Sequence, residues 1–475
     1  MAHKQVRQRK HRKKTRQRPC GSHLQVRRSP HNGFTKFGGS AALCLYLTHV
    51  LEFRERFAGV TVKKGKNSQF TTVDMLFGLL GLIMLGCDRV VHINDRFGDD
   101  VLLAQQLGLV RIFDQSTVNR FLRRFTKWHT KQLERILMVT IQVHGQFVGV
   151  VCRILDIDAS DLTRMTHKSQ GAKPGRNKKH KGKDSYLISC AFAAHQVIAT
   201  DFRSGNRHCS QALATVFEKA LKTLGRIDLI RLDAGYISIN TLTWLLAQKV
   251  SSTSEQAVAF LVGCTGQAQG IQWAKAYART HPERWTCYRD GDPSIQLMNF
   301  NDLQLFKDYK EGRVRVVLVK MTQRVKKCTH NKVRYHSQTR IYAIATNLRQ
   351  GYGVRQIFKK YQQRQTIELM FRELKNSFCV GKLPSNHQHA NNGYFLLCCL
   401  AYNASYYFKR DVVPTGYKQC SMAVVRRRFL EVPARRPSVW TVEFNRDYQY
   451  FKESEQIAQA VQALLDTAFQ VATAV

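Results

Sequence analysis

Three acidic side chains are candidates for binding the metal ions of a phosphodiester-cleaving site. Asp158 and Asp233 each follow an apolar run that predicts a strand, and Glu368 lies within a predicted helix. Carboxylate oxygens are the ligands that Mg²⁺ and Mn²⁺ prefer. Two such ions about 4 Å apart can activate an attacking oxygen and stabilise a leaving one in an in-line displacement. We therefore expect these carboxylates to be catalytic and to hold two Mg²⁺ ions, for which Mn²⁺ would substitute.

The first aspartate is a choice between two neighbours. Asp156 and Asp158 alternate along the strand predicted at 150–157 and just beyond it, so both would project from the same face. We favour Asp158, which would sit at the strand tip before the small residues Ala159 and Ser160. A carboxylate at the carboxyl end of a central strand points into the cleft where α/β sheets bind ligands.

The second aspartate repeats this arrangement. Asp233 comes directly after the strand predicted at 227–232 and directly before Ala234-Gly235-Tyr236, a turn that would expose its carboxylate. A single aspartate at a strand end is usually a turn residue or a cap. Two of them in one α/β unit are more than turns require, and we expect them to share one site.

The helix predicted at 355–377 carries the strongest of the three signals. At about 100° per residue, four of its polar side chains fall within an arc of about 60°: Tyr361, Arg364, Glu368 and Lys375. An amphipathic helix explains a polar stripe, but not one acid beside two bases and a phenol. An acid to hold metal and bases to grip phosphates suit a groove in which phosphodiesters are cleaved.

The scaffold around these residues is predicted to be α/β, with strands at 150–157, 186–194, 196–202, 227–232 and 257–262. We expect a basic arm at 1–38, whose composition predicts disorder, and a helical DNA-binding domain at 39–148. The α/β core would follow in two pieces, 149–262 and 348–385, separated by a β-rich, mostly extended insertion at 263–347. A helical C-terminal region at 386–475 could dimerise.

Charge favours DNA as the partner, since 75 Lys and Arg face 33 Asp and Glu, for a net charge of +42. Such an excess repels itself unless a polyanion neutralises it. The longest apolar run, 75–87, is shorter than the roughly 18 residues of a spanning helix and predicts a buried helix. Thirteen scattered cysteines without a CxxC pair disfavour zinc and favour a reducing, cytoplasmic compartment.

Two further basic segments are candidates for phosphate contact. A helix at 115–125 would bury Val118, Leu122 and Phe125 below a cap at Asp114 or Ser116, and would present four polar side chains: Asn119, Arg120, Arg123 and Arg124. Residues 164–183 contain eight Lys or Arg and no acid, among them Lys178, Lys179 and Lys181. Either segment could instead be a solvated basic surface.

Together these motifs resemble the DDE-type insertion-sequence transposases, in the group whose helix reads Tyr-x2-Arg-x3-Glu-x6-Lys. Tyr361, Arg364, Glu368 and Lys375 match that pattern in type and spacing, and Asp158 and Asp233 resemble the first two acids. The resemblance implies a ribonuclease-H-like mixed-sheet core with a β-rich insertion. It implies a metal-dependent endonuclease and strand transferase of a mobile genetic element, working as a homodimer on double-stranded DNA.

The resemblance also implies what this DNA is: the terminal inverted repeats of the element and a target. Trp273 or Trp285 could stack on a flipped base, although a core position is the simpler interpretation of each. A nuclease of the same fold without strand transfer, or a non-catalytic DNA-binding descendant, remains an alternative. The absence of a GxxxxGK[ST] motif disfavours an ATP-driven machine.

Overall fold

The computed structural model describes residues 34–473, except 66, 151, 176–179, 265, 267, 330–331, 350 and 438–439. Most of the predicted arm, and Lys178 and Lys179 of the basic loop, lie outside the described residues. The packed part of the chain begins earlier than position 39. Phe37 is fully buried and stacks on Phe97, because its ring completes the core of the helical region that follows.

Residues 40–144 form the helical region that the apolar periodicity predicts. Its helices are α1 (Ser40–Leu45, continued by a π-helical turn at Tyr46–Val50), α2 (Phe53–Ala58), α3 (Thr72–Met84), α4 (His92–Phe97), α5 (Val101–Gln106), α6 (Gln115–Leu122) and α7 (Lys127–His144). A capping box between Thr71 and Asp74 begins α3. Every residue of α3 from Met75 to Met84 is buried, which confirms that the long apolar run is a core helix.

The α/β core contains a mixed sheet whose first five strands are β1 (Ile154–Thr163), β2 (Asp184–Ala193), β3 (Gln196–Ser204), β4 (Leu229–Leu232) and β5 (Ala259–Cys264). Their order is β3-β2-β1-β4-β5. The pairs β3-β2 and β2-β1 are antiparallel, whereas β1-β4 and β4-β5 are parallel. Helices α8 (Leu213–Leu224) and α9 (Ile239–Ala247) connect the parallel strands. This is the ribonuclease-H-like α/β arrangement expected from the sequence.

Both ends of the first strand were predicted too early in the chain, since the strand begins at Ile154 rather than at 150. The first strand does not end at Ile157 but continues through Asp158 to Thr163. It continues because β2 pairs with it in register as far as Thr163 opposite Ser185, while the parallel pairing with β4 ends at Ile157 opposite Leu232. Asp158 is thus the first residue of β1 with a neighbouring strand on one side only.

The insertion extends the same sheet. It contains α10 (Gln269–Thr280), β6 (Thr286–Arg289), β7 (Asp292–Gln304), β8 (Arg313–Thr329) and β9 (Lys332–Thr346). The prediction of a mostly extended segment missed α10, whose apolar residues are few and spaced for one buried face. Strand β9 pairs antiparallel with β5, and β8, β7 and β6 follow it outward. Core and insertion therefore share one continuous hydrogen-bonded ladder.

The predicted long helix at 355–377 is divided in two. Helix α11 (Val354–Gln362) and helix α12 (Thr366–Asn376) are separated by a 3₁₀ turn at Gln363–Gln365. The turn lies where Arg364 is drawn inward and buried. A change of helical pitch rotates the residues on its two sides relative to one another, so the polar stripe is not one straight line.

The C-terminal region is not separate from the rest. Helix α13 (Gln388–Asp411) packs against α3, α7 and β3 and is buried along most of its length, because Tyr394–Ser405 presents apolar or small side chains on every face. Asn403 accepts a hydrogen bond from Val197 N and donates one to Val197 O, both 2.9 Å long. Helices α14 (Met422–Val425) and α15 (Phe451–Thr473) follow. Among the described helices, none has the length and apolarity needed to cross a membrane.

Candidate active site

Asp158 lies in the floor of a cleft at the edge of the sheet where β4 and β5 end. Its side chain is 23% exposed. One carboxylate oxygen, Oδ1, accepts a hydrogen bond of 2.8 Å from the backbone N–H of Ala159. The loss of the β4 neighbour at this position leaves the side chain open to the cleft.

Asp233 stands beside it, at the first position after β4. Its backbone is extended, and a short 3₁₀ turn, Ala234–Tyr236, begins directly after it. The carboxylate caps no backbone N–H of this turn and is 54% exposed. The structure thus places Asp233 at a strand end and in an exposing turn, as the sequence predicts.

Arg364 joins the two aspartates. Its Nη2 donates a hydrogen bond of 2.9 Å to Asp158 Oδ2, and its Nη1 lies 3.8 Å from Asp233 Oδ1. The arginine side chain is only 8% exposed. The sequence places Arg364 among the DNA-binding residues, whereas in the structure its guanidinium faces the two carboxylates.

The electrostatics of this trio follow from burial. Burial raises the pKa of Asp158 to about 6, and the nearby charge of Asp233 adds to the rise, while Arg364 opposes it. Burial alone would lower the pKa of Arg364, but Asp158 and Asp233 outweigh that effect and raise it. The arginine is held in its charged form by the acids that it bridges.

Asp156 forms a buried ion pair with Arg231 and not with Arg364. Both of its oxygens accept hydrogen bonds of 2.6 Å from Arg231, through Nε and Nη2, and its side chain is 7% exposed. Arg231 also donates from Nη1 to the backbone oxygen of Lys360, at 2.7 Å. This buried pair fastens the end of α11 to the sheet and leaves Asp158 as the acid of β1 that faces the cleft.

Tyr361 lies at the base of the same cleft. Its hydroxyl donates to the backbone oxygen of Leu232 at 3.5 Å, and burial raises its pKa. Gly263 provides the room, because a Cβ there would stand 2.4 Å from that hydroxyl oxygen and 2.9 Å from the backbone nitrogen of Ala234.

Lys375 is placed along β1 beyond Asp158. Its Nζ donates to Ser160 Oγ at 2.5 Å and to the backbone oxygen of Asp161 at 3.4 Å. Tyr361, Arg364 and Lys375 therefore contact the edge of the sheet at three points, which are Leu232, Asp158 and Ser160 respectively. Together they seat α11 and α12 over the carboxylates.

Glu368 is one helical turn beyond Arg364 in α12 and is exposed. Its side chain makes no hydrogen bond or ion pair with the described residues, and no group of three or more Asp, Glu, His or Cys within those residues has the spacing of a metal site. The structure brings Asp158 and Asp233 together through Arg364 and leaves the Glu368 carboxylate outside this contact.

Comparison with known protein families agrees with this geometry. The transposase DDE domain family matches residues 152–404, more than half of the chain, from the first residues before β1 into α13. The chain belongs to the DDE transposase family. A comparison with curated proteins gave no match. Members of the family act on DNA and generally use divalent metal ions.

The basic helix of this transposase begins as predicted but ends at Leu122, so Arg123 and Arg124 lie in the turn after it. Asp114 caps α6 by accepting from Thr117 N at 2.8 Å, and Val118, Leu122 and Phe125 are buried. Arg120, Arg123 and Arg124 are exposed, while Asn119 is half-buried. Arg120 and Arg124 line an open cavity of about 420 Å³ together with two cations that the sequence analysis did not single out, Lys64 and Arg111. In the basic loop, Lys181 is exposed.

Sequence reasoning missed two residues that shape the site, Arg231 and Gly263. A signal for Arg231 was present, because a charged residue inside a short apolar strand requires a buried partner of opposite charge, and Asp156 stood in the adjacent strand. Nothing in the local sequence indicates that Gly263 must leave room for Tyr361. The simpler interpretation of Trp273 was also wrong, since this side chain is exposed on α10 and stacks on Tyr277, whereas Trp285 is half-buried.

Proposed function

We propose that this transposase binds the terminal inverted repeats of its own mobile element, cleaves the element ends, and joins the freed 3′-hydroxyls to target DNA. The observation that supports this best is the pair Asp158 and Asp233, gathered by one guanidinium at the open edge of the sheet. Glu368 lies four residues beyond Arg364, near the start of α12, and we propose it as the third acid of this site.

The donor set fits Mg²⁺ or Mn²⁺. Three carboxylates offer only hard oxygen ligands, and an exposed Asp233 and an unpaired Glu368 leave lone pairs available. Asp158, Asp233 and Glu368 would hold two ions, once the Glu368 side chain turns toward the aspartates. When bound, the ions supply activation of the attacking oxygen and stabilisation of the leaving oxygen.

The protein side chains prepare this chemistry. Arg364 neutralises Asp158 and Asp233, whose mutual repulsion would otherwise spread the site. Tyr361 and the pair Asp156–Arg231 fix α11 against β4, which sets the position from which Glu368 approaches. Lys375 brings a cation to the far side of Asp158, where it can contact a phosphate of a DNA strand lying along β1.

DNA would also be held by basic side chains outside the cleft. We assign phosphate contact to Asn119 and Arg120 in α6, to Arg123 and Arg124 in the turn after it, and to Lys178, Lys179 and Lys181 in the loop after β1. That loop begins at the end of β1 that lies beyond Asp158. Joining both ends of one element to a single target calls for two active sites, so we propose a homodimer on DNA, in the bacterial nucleoid.

Purified protein tests this function when it is incubated with labelled duplexes that carry the element ends, a supercoiled target plasmid and Mg²⁺. We expect 3′-hydroxyl cleavage products at the ends and covalent joining to the plasmid, both with Mn²⁺ as well and neither in the presence of EDTA. Cleavage without joined product would identify a nuclease instead. Binding of the ends without any cleavage by folded protein would identify a non-catalytic descendant.

A further inference from the structure

The hairpin of β8 and β9 continues beyond the sheet as a two-stranded ribbon. Pairing of β8 with β7 ends at Met321 opposite Ile295, whereas pairing with β9 continues to Thr329 opposite Lys332. Residues 322–329 and 332–339 therefore pair only with each other, and we call them the basic ribbon. Of its described side chains, Gln323, Arg324 and those at 335–339 are exposed, so the ribbon borders solvent.

The basic ribbon points past the active-site edge of the sheet. Ala345 of β9 pairs with Val262 of β5, which pairs with Leu232, the residue before Asp233. Because β9 runs antiparallel to β5, the residues that precede Ala345 extend beyond the ends of β4 and β5. At about 3.4 Å per residue, the ribbon covers distances of roughly 17 to 41 Å beyond the level of Asp233.

The charge of the ribbon is entirely positive. Its sequence contains five Lys or Arg and no acid, and no acidic residue occurs between Glu311 and Glu368. The register places Lys327 opposite Arg334, and like charges at opposed positions destabilise a strand pair. A two-stranded hairpin without a core is at best marginally stable in water. A bound polyanion would remove this repulsion.

We propose that the basic ribbon is a second DNA-binding element, which contacts the duplex that leaves the cleft on the side of the insertion. This proposal rests on the proposed function, since it takes DNA in the cleft as given. A duplex rises about 3.4 Å per base pair, so the ribbon meets it about 5 to 12 base pairs from the scissile phosphate. A two-stranded ribbon also has the width that a major groove admits.

Side-chain chemistry favours duplex DNA over a second copy of the chain. Edge-to-edge pairing of two ribbons would bring ten Lys and Arg together with no acid, twice the five of one ribbon. The described part of the ribbon also offers groups that bond to phosphates or bases: Arg324, placed 4.9 Å over the ring of Tyr335, and the amides of Gln323 and Gln338.

The test compares two full-length variants that each lose three cations. The ribbon variant carries Arg324→Ser, Lys327→Ser and Arg334→Ser. The matched control carries Lys222→Ser, Arg226→Ser and Lys249→Ser, which are exposed at the opposite edge of the sheet, where β4 and β5 begin. Affinity is measured against salt on two duplexes with the element end, one with 20 base pairs on both sides of the cut and one trimmed to 4.

We expect the ribbon variant to bind the long duplex at least about tenfold more weakly than wild type, with a salt slope shallower by about 2 to 3. On the trimmed duplex its affinity should equal that of wild type. The control should match wild type on the long duplex to within about twofold. Circular dichroism and thermal melting report whether each variant is folded.

Three outcomes would overturn the proposal. The ribbon variant could match the control on the long duplex, its deficit could persist on the trimmed one, or it could lose self-association, measured by sedimentation, with an unchanged salt slope. Failure of the proposed function looks different, because folded wild-type protein would then neither bind nor cleave the element ends. In that case the defect appears before any variant is compared.

Discussion

Asp158 and Arg364 form an ion pair at the floor of the cleft, with Arg364 Nη2 at 2.9 Å from Asp158 Oδ2. The same guanidinium lies 3.8 Å from Asp233. A cation in this position stabilises two neighbouring carboxylates while no metal neutralises them. It also competes with metal for the same oxygen atoms, and that competition can be measured.

Replacing Arg364 by alanine should strengthen metal binding. At pH 8, well above the pKa of about 6 that Asp158 has in the wild type, metal does not compete with a proton at this carboxylate, and the variant also lacks the competing cation. We expect Mn²⁺ affinity, measured by calorimetry without DNA, to rise several-fold, while cleavage falls because the carboxylates lose their alignment. Arg372→Ala, on the exposed side of α12, is the matched control. Unchanged Mn²⁺ affinity together with a salt slope of DNA binding shallower by about 1 would instead assign Arg364 to a phosphate.

Removal of any of the three acids should abolish cleavage. Asp158→Ala, Asp233→Ala and Glu368→Ala are each expected to lower the cleavage rate by about a thousandfold or more, as when a group that acts in the transition state is deleted. End binding should stay within about threefold of wild type, because none of the three contacts phosphate directly. If Glu368→Ala cleaves DNA at the wild-type rate, Glu368 is not a metal ligand and its carboxylate stays exposed on α12.

Asp156→Ala should lower the stability of the folded protein. The substitution leaves the Arg231 guanidinium buried without its partner, which costs about 3 to 5 kcal/mol. Urea unfolding measures this loss. The double variant Asp156→Leu with Arg231→Met should recover much of it, because no buried charge is left. A stable Asp156→Ala protein without cleavage activity would reverse our choice between Asp156 and Asp158.

Gly263→Ala tests the packing below Tyr361. The added Cβ meets the tyrosine hydroxyl at 2.4 Å and a backbone nitrogen at 2.9 Å, so α11 must move outward. We expect a destabilisation of about 1 to 3 kcal/mol and a lower cleavage rate. Adding Tyr361→Phe removes the hydroxyl oxygen and should restore part of the stability. If Gly263→Ala unfolds like wild type, the contact is looser than the structure has it.

His144 should make the helical region sensitive to acid. Burial and the charges of Arg56 and Arg410, opposed by Asp411, together lower its pKa from 6.5 to about 4. The unfolded chain therefore binds a proton that the folded chain does not, and stability falls as pH drops from 6.5 toward 4. Thermal melting of wild type and His144→Gln between pH 7 and 4.5 measures the difference. If the melting temperatures of wild type and His144→Gln fall by the same amount between pH 7 and 4.5, protonation of His144 does not contribute to the loss of stability.

The fold could be predicted as far as local patterns determine it. Short apolar runs identified β2 to β5, and helical spacing identified α3, α6 and α13, because these elements bury one face or all of their length. The end of β1 could not be predicted. It depends on β2, whose paired residues lie from 22 (Thr163 to Ser185) to 32 (Asp158 to Cys190) positions away in the chain, and pairing energy from a distant strand is absent from the local sequence.

The site was predictable to the extent that residue types define it. Asp158, Asp233 and the stripe on α11 and α12 were found from their spacing. The inward turn of Arg364 was not, because a guanidinium suits a phosphate and a carboxylate equally, and only the folded chain determines which is near. The same limit applies to Glu368, whose exposure depends on side-chain rotation about a correctly placed backbone.

The pairing of β9 with β5 also fixes how the length of the basic ribbon can change. A strand pair accepts residues two at a time, since a single insertion would turn every following side chain to the other face. Two residues added to each strand would lengthen the ribbon by about 7 Å, or roughly two base pairs of duplex. If the ribbon binds DNA as proposed, the length of duplex that it contacts would change only in such steps of about two base pairs, while Asp158 and Asp233 would stay where they are.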